Sequence, residues 1–360
     1  MANKKEYKAV IAVHPGETLK EFLKNLDMTQ TQLSERTGIT QKHINEIING
    51  KADISHSTSM KLEYALGMPA SFWNNLQSNY DETIARIDAE SSAAAELSIA
   101  KEIPYNEMQK YGFIDRAKDI YDKVDKLRSY FGVASLSFIP TTISGAFRKS
   151  DNTKTSAYAL AAWIRKGEIE ASNIEVEAFN EKTLKSMIPE LRKLTNESPD
   201  DFIPKLKELC ASCGICLVLS PHLNKTYVQG VTKWINKDKV LLQLSFRQRY
   251  IDIFWFSFFH ELGHIILKHG KKETYIQYDK PQKDNPIEIQ ADEFASNTLI
   301  PLKEYNEFIN KNNFSENDIL EFSNKIGILP GIVVGRLQHD GFISYKYHNK
   351  LKPKFDDKIA

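Results

Sequence analysis

The sequence predicts a mainly helical α+β chain, in which an all-α N-terminal domain precedes a domain with a small antiparallel sheet and one long helix. Apolar side chains recur every three or four positions between residues 17 and 76, which is the period of packed helices. Short runs rich in Val, Ile and Leu follow between residues 214 and 244, and polar turns separate them. An apolar segment then leads into His260 and His264, whose spacing places both on one face of a helix.

The bulk composition is that of an ordinary globular protein. The chain has 360 residues, which is enough for roughly two or three domains with cores of their own. Its formal net charge of +1 provides no overall basic field, so any affinity for nucleic acid must come from a local patch. The sequence shows neither a signal peptide nor about 18 unbroken apolar residues. We therefore expect a cytoplasmic protein with no membrane contact.

The first 80 residues are predicted to contain a helix-turn-helix unit. Thr29 is a natural N-cap for the helix that follows it, and Gly38 can adopt the left-handed conformation that ends such a helix. Thr40 then caps a third helix, Gln41–Ile48. The apolar positions of this third helix, which should face the core, are Ile44, Ile47 and Ile48. Two short helices around a glycine turn are typical of DNA-binding domains.

Polar side chains on this unit are candidates for DNA contacts. Gln41, Lys42 and Asn45 lie on the outer face of the third helix, where Gln can read adenine and Lys guanine in the major groove. Gln30, at the start of the second helix, and Lys51, after the third, suit phosphate contacts. Because basic and acidic residues nearly balance in this domain, we expect a modest affinity for operator DNA that depends strongly on salt.

Three strands are predicted between the helical regions. They are Gly214–Leu219, Val228–Ile235 and Lys239–Leu244. Because polar turns connect successive runs, we expect a three-stranded antiparallel sheet. Ser245 can cap the long helix that follows, and we expect this helix to run to Gly270.

All three cysteines of the chain lie just before the first strand, at Cys210, Cys213 and Cys216. Their spacing could begin a metal or iron–sulfur site, but a fourth ligand is missing. An odd number of cysteines also does not form a disulfide framework. We expect reduced cysteines at a helix–strand junction.

The long helix carries the pattern H-E-x-x-H at residues 260–264. Neutral imidazole is a good ligand for zinc, and two imidazoles four residues apart can reach the same ion. Glu261 follows the first histidine and would point toward the open side of the metal, where it can act as a base. The alternative is a surface helix with two solvated histidines.

A second pattern, on a later helix, supports the metal site. Asn285-Pro286 begins this helix and Pro301 ends it. A carboxylate from Glu288 would complete a His₂Glu site and leave one position open for water. Asp292, one turn later, can accept a hydrogen bond from the outer nitrogen of a ligand histidine.

His269 lies five residues after His264, which is off the face that carries the two ligand histidines. A histidine at this distance falls near the predicted end of the long helix. Cations are favoured there because the helix dipole places partial negative charge at the C-terminus. We therefore expect His269 to be a residue of the helix C-terminus that the dipole stabilises.

The segment Ile319–Gln338 reads as helix, glycine turn and helix, which is again the helix-turn-helix pattern. A basic tail follows, with Lys346, Lys350, Lys352 and Lys354. A second DNA contact is possible here. We favour a packing role for the helices and a solvated tail.

Residues 14–80 resemble the Xre/HigA-like family of antitoxins. The motifs that carry the resemblance are His14-Pro15-Gly16-Glu17, Thr29-Gln30-Thr31-Gln32-Leu33, Asn49-Gly50-Lys51, Leu66-Gly67-Met68 and Phe72-Trp73-Asn74-Asn75-Leu76-Gln77. Proteins of this family bind operator DNA as dimers and repress their own toxin–antitoxin operon. The resemblance therefore implies operator DNA, a cognate toxin and a second copy of the chain as partners. In the alternative, the domain has kept this fold for protein binding.

Residues 200–302 resemble the ImmA/IrrE family of zinc metallopeptidases, which implies a zincin-like domain. The motifs are H-E-L-G-H at residues 260–264 and the segment Glu288–Pro301, with Thr298 where Leu is common. The resemblance implies a Zn²⁺ ion bound by His260, His264 and Glu288. Glu261 would be the catalytic residue. A repressor or another regulatory protein would be the substrate.

Four regions are thus predicted. They are a helix-turn-helix DNA-binding domain (1–80), a helical connector (81–150), a metallopeptidase domain (151–302) and a C-terminal helical subdomain with a basic tail (303–360). The leading interpretation is an antitoxin- or repressor-type regulator fused to a zinc metallopeptidase that cleaves a regulatory protein or itself. In the alternative nothing is cleaved, and the zinc domain is a sensor or a toxin-binding platform. The presence of Glu261 favours the enzyme, since metal binding alone does not require it.

Overall fold

The computed structural model describes residues 12–142, 156–269, 275–278 and 285–356. The chain forms two compact units, with the boundary between Leu97 and Ser98. The domain limits predicted at residues 80, 150 and 302 stay predictions. No described helix is both long and apolar enough to cross a lipid bilayer.

The described part of the first unit consists of helices. They are α1 (Pro15–Asn25), α2 (Gln30–Thr37), α3 (Gln41–Ile48), α4 (His56–Leu66) and α5 (Ala70–Ala95). Thr29 and Gln32 form a capping box at the start of α2, and Gly38 ends that helix with a φ of 65°. The side chain of Thr40 accepts a hydrogen bond from the backbone N–H of His43 in the first turn of α3. The predicted helix-turn-helix is confirmed.

One apolar cluster holds these helices together. Its most deeply buried members are Leu19, Leu33, Ile44, Ile47, Leu62 and Trp73. Burial of each such side chain contributes about 1.5–3 kcal/mol relative to exposure. Since the isoleucines of α3 point into this cluster, the opposite face of α3 lies in solvent.

The second unit contains helices on both sides of a small sheet. The helices are α6 (Leu97–Glu102, which begins at the unit boundary), α7 (Tyr105–Lys110), α8 (Ile120–Phe131), α9 (Ile139–Thr142), α10 (Ala157–Asn173), α11 (Glu181–Lys193), α12 (Pro199–Ser212), α13 (Ile251–Ile266), α14 (Pro286–Leu299), α15 (Leu302–Ile309), α16 (Glu316–Ile326) and α17 (Pro330–His339). Short 3₁₀ turns occur at Leu136–Phe138, Leu194–Asn196 and Asn349–Leu351. Most of the chain is therefore helical, as predicted.

The sheet has the strand order β1-β3-β2-β4. The strands are β1 (Ile215–Ser220), β2 (Val228–Asn236), β3 (Lys239–Ser245) and β4 (Tyr275–Tyr278). Strand β2 pairs with β3 and β4 in antiparallel fashion, but β1 pairs with β3 in parallel. The prediction of a purely antiparallel three-stranded sheet was therefore wrong. The directions of β1, β2 and β3 do alternate along the chain, but β3 lies between β1 and β2 and so pairs with a strand of its own direction.

Helix α13 lies in the middle of the core of the second unit. It is apolar on nearly all sides, as expected of a helix that is covered all round, and its bulky side chains Trp255, Phe258, Phe259 and Leu262 are fully buried. The helix is shorter than predicted, since it begins at Ile251 rather than just after Ser245. Ser245 instead ends β3 and donates a hydrogen bond to the carbonyl of Val228.

The C-terminal helices and the segment after them pack onto α13. In α17, Ile332, Val333 and Leu337 are buried, which agrees with a packing role. The expectation of a solvated tail was wrong at Lys352, whereas Lys346, Lys350 and Lys354 are exposed as expected. Lys352 lies 2.8 Å from the buried Asp252 carboxylate, and the side chain of Phe355 is 2% exposed. A buried carboxylate needs a cationic partner and an aromatic ring gains from burial, which together explain the docking.

The three cysteines lie at the junction of α12 and β1, where the sequence placed them. Cys210, Cys213 and Cys216 are free thiols in the core. Burial raises the pKa of each thiol, so the reactive thiolate form is scarce at neutral pH.

Candidate metal centre

Two imidazoles project from one face of α13. His260 and His264 are one helical turn apart, and their side chains are 2% and 1% exposed. Their Nε2 atoms lie 3.1 Å from each other. Because both histidines are buried, they are not two solvated residues on a surface helix, which was the alternative.

Glu288 joins the histidines from the first turn of α14. Its Oε2 atom lies 3.2 Å from Nε2 of His260 and 3.7 Å from Nε2 of His264. Gly263 lets the two helices approach closely, because a Cβ atom there would lie 3.3 Å from Cα of Ala291. The close contact of α13 and α14 thus places the carboxylate beside the imidazoles.

The three atoms have the spacing that a tetrahedral zinc site requires. Ligand atoms at about 2.0–2.1 Å from zinc, arranged tetrahedrally, are separated by about 3.3 Å. The observed separations of 3.1, 3.2 and 3.7 Å scatter around that value. Within the described part of the chain, this is the group of metal-ligating side chains that converges on one point. The residues present therefore fit the metal, and three ligands leave a tetrahedral site one open corner.

The electrostatics of the cluster favour a cation. Burial alone would lower the pKa of His260, but hydrogen bonds to Asp292 and Glu288, together with the charge of Glu261, raise it to about 9. Burial lowers the pKa of His264. Burial would raise the pKa of Glu288, yet hydrogen bonds from both histidines hold it well below its usual range. A proton on His260 or a metal ion would each supply the positive charge that these carboxylates stabilise.

Glu261 is held by strand β2. Its side chain is fully buried, and the hydroxyl of Thr232 donates a 2.6 Å hydrogen bond to Oε2 of Glu261. Gly230 makes room for the same carboxylate, since a Cβ atom there would lie 2.6 Å from Oε1. Sequence reasoning missed Thr232 and Gly230. No local signal could have found them, because contact between a strand and a later helix is a tertiary feature.

A further contact orients each histidine from outside the cluster. Oδ1 of Asp292 lies 2.7 Å from Nδ1 of His260, where the sequence placed it. Nδ1 of His264 lies 3.0 Å from Nδ1 of His269, and Nε2 of His269 lies 3.0 Å from Oε1 of Gln290. His269 does belong to the C-terminal turn of α13, as expected, since its backbone N–H donates to the carbonyl of His264. The expectation that it lies off the face of the ligand histidines was wrong, because its imidazole contacts that of His264. The helix ends at Ile266, and the turn beyond it brings the imidazole back to the site.

The predicted DNA contacts lie together on the first unit. Gln41, Lys42 and Asn45 are exposed on α3, Lys51 is exposed after it, and Gln30 is half-buried at the start of α2. Two of them also contact neighbouring side chains within α3 and its cap. The ammonium of Lys42 is 3.9 Å from Glu46, and Oδ1 of Asn45 accepts a hydrogen bond from Asn49. Their roles toward DNA stay predictions.

Family models match both units. A model described as helix-turn-helix matches residues 19–73, and a model described as IrrE N-terminal-like domain matches residues 254–337. The second match begins within α13 and ends within α17. It contains all the residues predicted for the metal centre, namely His260, Glu261, His264, Glu288 and Asp292.

Known proteins are similar to the N-terminal part of the chain. The virulence-associated protein I of Dichelobacter nodosus is 33% identical over 81 residues, which are 22% of this chain and 75% of that protein. An addiction module antidote protein of the HigA family from Coxiella burnetii is 34% identical and aligns over 24% of this chain and 94% of its own, with a TM-score of 0.23. Antitoxin HigA of Pseudomonas aeruginosa, solved with the higBA promoter, is 29% identical over 23% of this chain and 90% of its own, with a TM-score of 0.22.

The family assignment rests on the sequence matches. They cover separate parts of the chain, one in each unit, and neither extends across the boundary at Leu97. The chain thus belongs, through residues 19–73, to the helix-turn-helix family, and it carries an IrrE N-terminal-like domain over residues 254–337.

Proposed function

We propose that this chain is a cytoplasmic, antitoxin-type transcriptional regulator whose second unit is a zinc-dependent endopeptidase. The substrate is a regulatory protein or the chain itself. The observation that carries the proposal is the convergence of His260, His264 and Glu288 on one point, with Glu261 buried beside them.

The choice of zinc and of a catalytic role follows from the donor set. Two imidazoles and one carboxylate suit Zn²⁺, whereas structural zinc sites close all four positions, often with cysteine. The cysteines of this chain lie elsewhere, at the junction of α12 and β1. When bound, zinc supplies Lewis acidity, which polarises the scissile carbonyl and brings the pKa of water from about 15.7 to about 7.

Metal binding, orientation of the ligands and proton transfer are assigned to different residues of the chain. His260, His264 and Glu288 would hold the metal, and Asp292 would fix the tautomer of His260 by accepting the hydrogen bond from Nδ1. Glu261 would take a proton from the attacking water, while the hydrogen bond from Thr232 to Oε2 would hold the carboxylate in place. The same carboxylate would then deliver this proton to the amide nitrogen that leaves.

The first unit would recognise operator DNA. Gln41, Lys42 and Asn45 would contact base edges from α3, while Gln30 and Lys51 would contact phosphates. A homodimer would place two copies of α3 in successive major grooves about 34 Å apart on a palindromic site. A cognate toxin is the further partner that an antitoxin requires.

A comparison of wild type with Glu261→Gln tests the enzymatic proposal. Both proteins, purified as the full chain with one equivalent of zinc, are incubated alone and with a peptide library prepared from a bacterial proteome. Intact mass and peptide termini then reveal cleavage of the chain itself or of the library. We expect new termini with wild type that vanish with Glu261→Gln and with a chelator, while Glu261→Gln still binds zinc.

The opposite results are also informative. Wild type that binds zinc but produces no new termini, either in its own chain or in the library, would contradict the endopeptidase. The role as a sensor or toxin-binding platform would then be favoured. Failure of wild type to bind zinc would contradict the metal centre itself.

A further inference from the structure

We propose that His269 and Gln290 form a positioning relay that fixes the tautomer of His264 and thereby raises the affinity of the site for zinc. The inference rests on the proposed zinc site and assigns a role to two residues beyond the metal ligands. Neither residue would touch the metal or the substrate. Both would act through His264.

The relay is a line of contacts that leads away from the metal site. His264 directs Nε2 toward His260 and Glu288, and its other nitrogen, Nδ1, lies 3.0 Å from Nδ1 of His269. The far nitrogen of His269, Nε2, lies 3.0 Å from the amide oxygen of Gln290. All these separations are ordinary hydrogen-bond lengths.

The proton positions along this line follow from the role of His264. A neutral imidazole that binds a metal through Nε2 carries its proton on Nδ1. That N–H donates to Nδ1 of His269, which must therefore be an acceptor, and the proton of His269 lies on Nε2. This second N–H donates to Oε1 of Gln290, which is an acceptor in every state. One arrangement of protons satisfies every contact, and it is the arrangement that metal binding requires.

The chain places these residues by local means. Lys268, two residues after the last residue of α13, has a φ of 58°, and this left-handed turn reverses the chain so that His269 returns toward His264. Gln290 lies in α14, two residues after Glu288. The relay therefore connects the end of one ligand-bearing helix to the start of the other.

The charge of the site explains why the acceptor for His264 is neutral. Glu261, Glu288 and Asp292 would place three carboxylates around a bound divalent ion. A fourth carboxylate at the half-buried position of His269 would add repulsion between like charges. Because an imidazole can accept a hydrogen bond without an added negative charge, His269 can orient His264 at a lower electrostatic cost.

Zinc affinity of the full chain is the first measurement. The dissociation constant is obtained by competition with a chromophoric chelator at pH 7.5. Loss of an outer partner of a ligand histidine weakens metal binding by about 10–100-fold, and we expect this for His269→Ala. The variant His269→Asn should recover part of the loss, because its side-chain oxygen can accept the N–H of His264. His339→Ala, which removes a histidine whose side chain is 74% exposed, is the matched control and should bind as wild type does.

A double-mutant cycle separates a relay from a general structural effect. Gln290→Leu should weaken zinc binding on its own but add little in the His269→Ala background, because the line is already interrupted. Asp292→Asn acts on His260 rather than on His264. The factors by which Asp292→Asn and His269→Ala raise the zinc dissociation constant should therefore multiply in the double variant. If the factors by which Gln290→Leu and His269→Ala each raise the zinc dissociation constant multiply fully in the double variant, the relay is overturned.

Selective ¹⁵N labelling of histidine provides a test that needs no variant. In zinc-loaded wild type, the nitrogen shifts of His269 should report a proton on Nε2 and none on Nδ1. The opposite tautomer would overturn the relay, as would a His269→Ala affinity within twofold of wild type. Wild type that binds no zinc at all would instead overturn the proposed function, and the relay with it.

Discussion

The hydroxyl of Thr232 lies 2.6 Å from Oε2 of Glu261, so a strand residue holds the carboxylate that follows the first histidine of α13. The same hydroxyl lies 3.2 Å from the backbone carbonyl of Glu261. Because the hydroxyl has one proton, it donates chiefly to the nearer Oε2, and strand β2 thereby holds the side chain of Glu261. In the proposed mechanism Glu261 is the general base, and the hydrogen bond from Thr232 would fix the orientation of its carboxylate toward the proton that it takes.

Replacement of Thr232 by Val should impair catalysis without emptying the metal site. The two side chains are nearly isosteric, but Val cannot donate to Glu261, and a displacement of the base on the order of 1 Å can cost about 100-fold in rate. We expect kcat/KM on a cleaved peptide to fall by about 10–100-fold while the zinc content stays at one equivalent. Thr232→Ser keeps the donor and should retain most of the activity. Equal rates for Thr232→Val and wild type would refute this role.

Zinc should stabilise the folded chain. An ion that binds only the native state at 100 times its dissociation constant adds about 2.7 kcal/mol to the free energy of unfolding. We expect thermal unfolding of the second unit to shift upward when zinc is added to metal-free protein and to return when a chelator follows. The shift should be absent in His264→Ala, which lacks one ligand. A zinc-dependent shift of the same size in that variant would place the bound ion elsewhere.

The contribution of Asp340 to stability should depend on pH. Burial would raise the pKa of this carboxyl, but hydrogen bonds from Arg336, His339 and Tyr305 outweigh burial and lower the pKa. A group with a depressed folded-state pKa stabilises the fold above its unfolded-state pKa of about 3.9, and this contribution is lost as the pH falls through the folded-state value. Because solvent screens these partly exposed contacts, we expect Asp340→Asn to reduce the free energy of unfolding by only about 0.2–1 kcal/mol at pH 7.

Urea unfolding of wild type and Asp340→Asn, at pH 7 and in acid, measures how this contribution to the free energy of unfolding changes with pH. The difference between the two proteins should shrink steadily below about pH 4, because wild-type Asp340 then takes up a proton. Asp238→Asn, at an acid whose side chain is 54% exposed, is the control and should change little at any pH. A constant difference for Asp340→Asn across the range would show that its ionisation is not what stabilises the fold.

Substitutions on the first unit should separate phosphate contacts from base contacts. Lys51→Ala should weaken binding to every DNA sequence and reduce the slope of log affinity against log salt by about 1. Gln41→Ala should cost about 1–3 kcal/mol on the operator alone and relax the preference at one base pair. Titrations at several salt concentrations, with operator and scrambled duplexes, measure both effects.

The control for these titrations is Lys110→Ala, which removes an exposed lysine of the second unit, in helix α7. This variant should bind as wild type does. If Gln41→Ala lowers affinity for operator and scrambled DNA equally, α3 does not read base edges.

Features set by nearby residues were predictable from sequence. Thr29 and Thr40 cap their helices, and Gly38 ends α2, because each of these preferences is determined within one turn. The spacing of His260 and His264 likewise follows from helix geometry alone. Glu288 was found through its position on a second helix, and the structure brings its Oε2 within 3.7 Å of both imidazoles. Its role as a ligand stays a prediction.

Features set by distant parts of the chain were not predictable. The contacts of Thr232 and Gly230 with Glu261 depend on how β2 crosses α13, and the parallel pairing of β1 depends on which strand lies beside it. His269 was misjudged because the helix was expected to continue to Gly270, which would carry that side chain past the site. In fact α13 ends at Ile266, and one residue with positive φ reverses the direction.

The docking of Lys352 and Phe355 against the start of α13 has a consequence for the order in which the protein matures. During translation, N-terminal domains generally fold first as the chain leaves the ribosome. The first unit has a core of its own and can fold early. The packing around α13 is completed only by Lys352 and Phe355, which leave the ribosome after His260, His264 and Glu288. A nascent chain with the proposed functions would therefore be able to occupy DNA before its proposed metal centre has assembled.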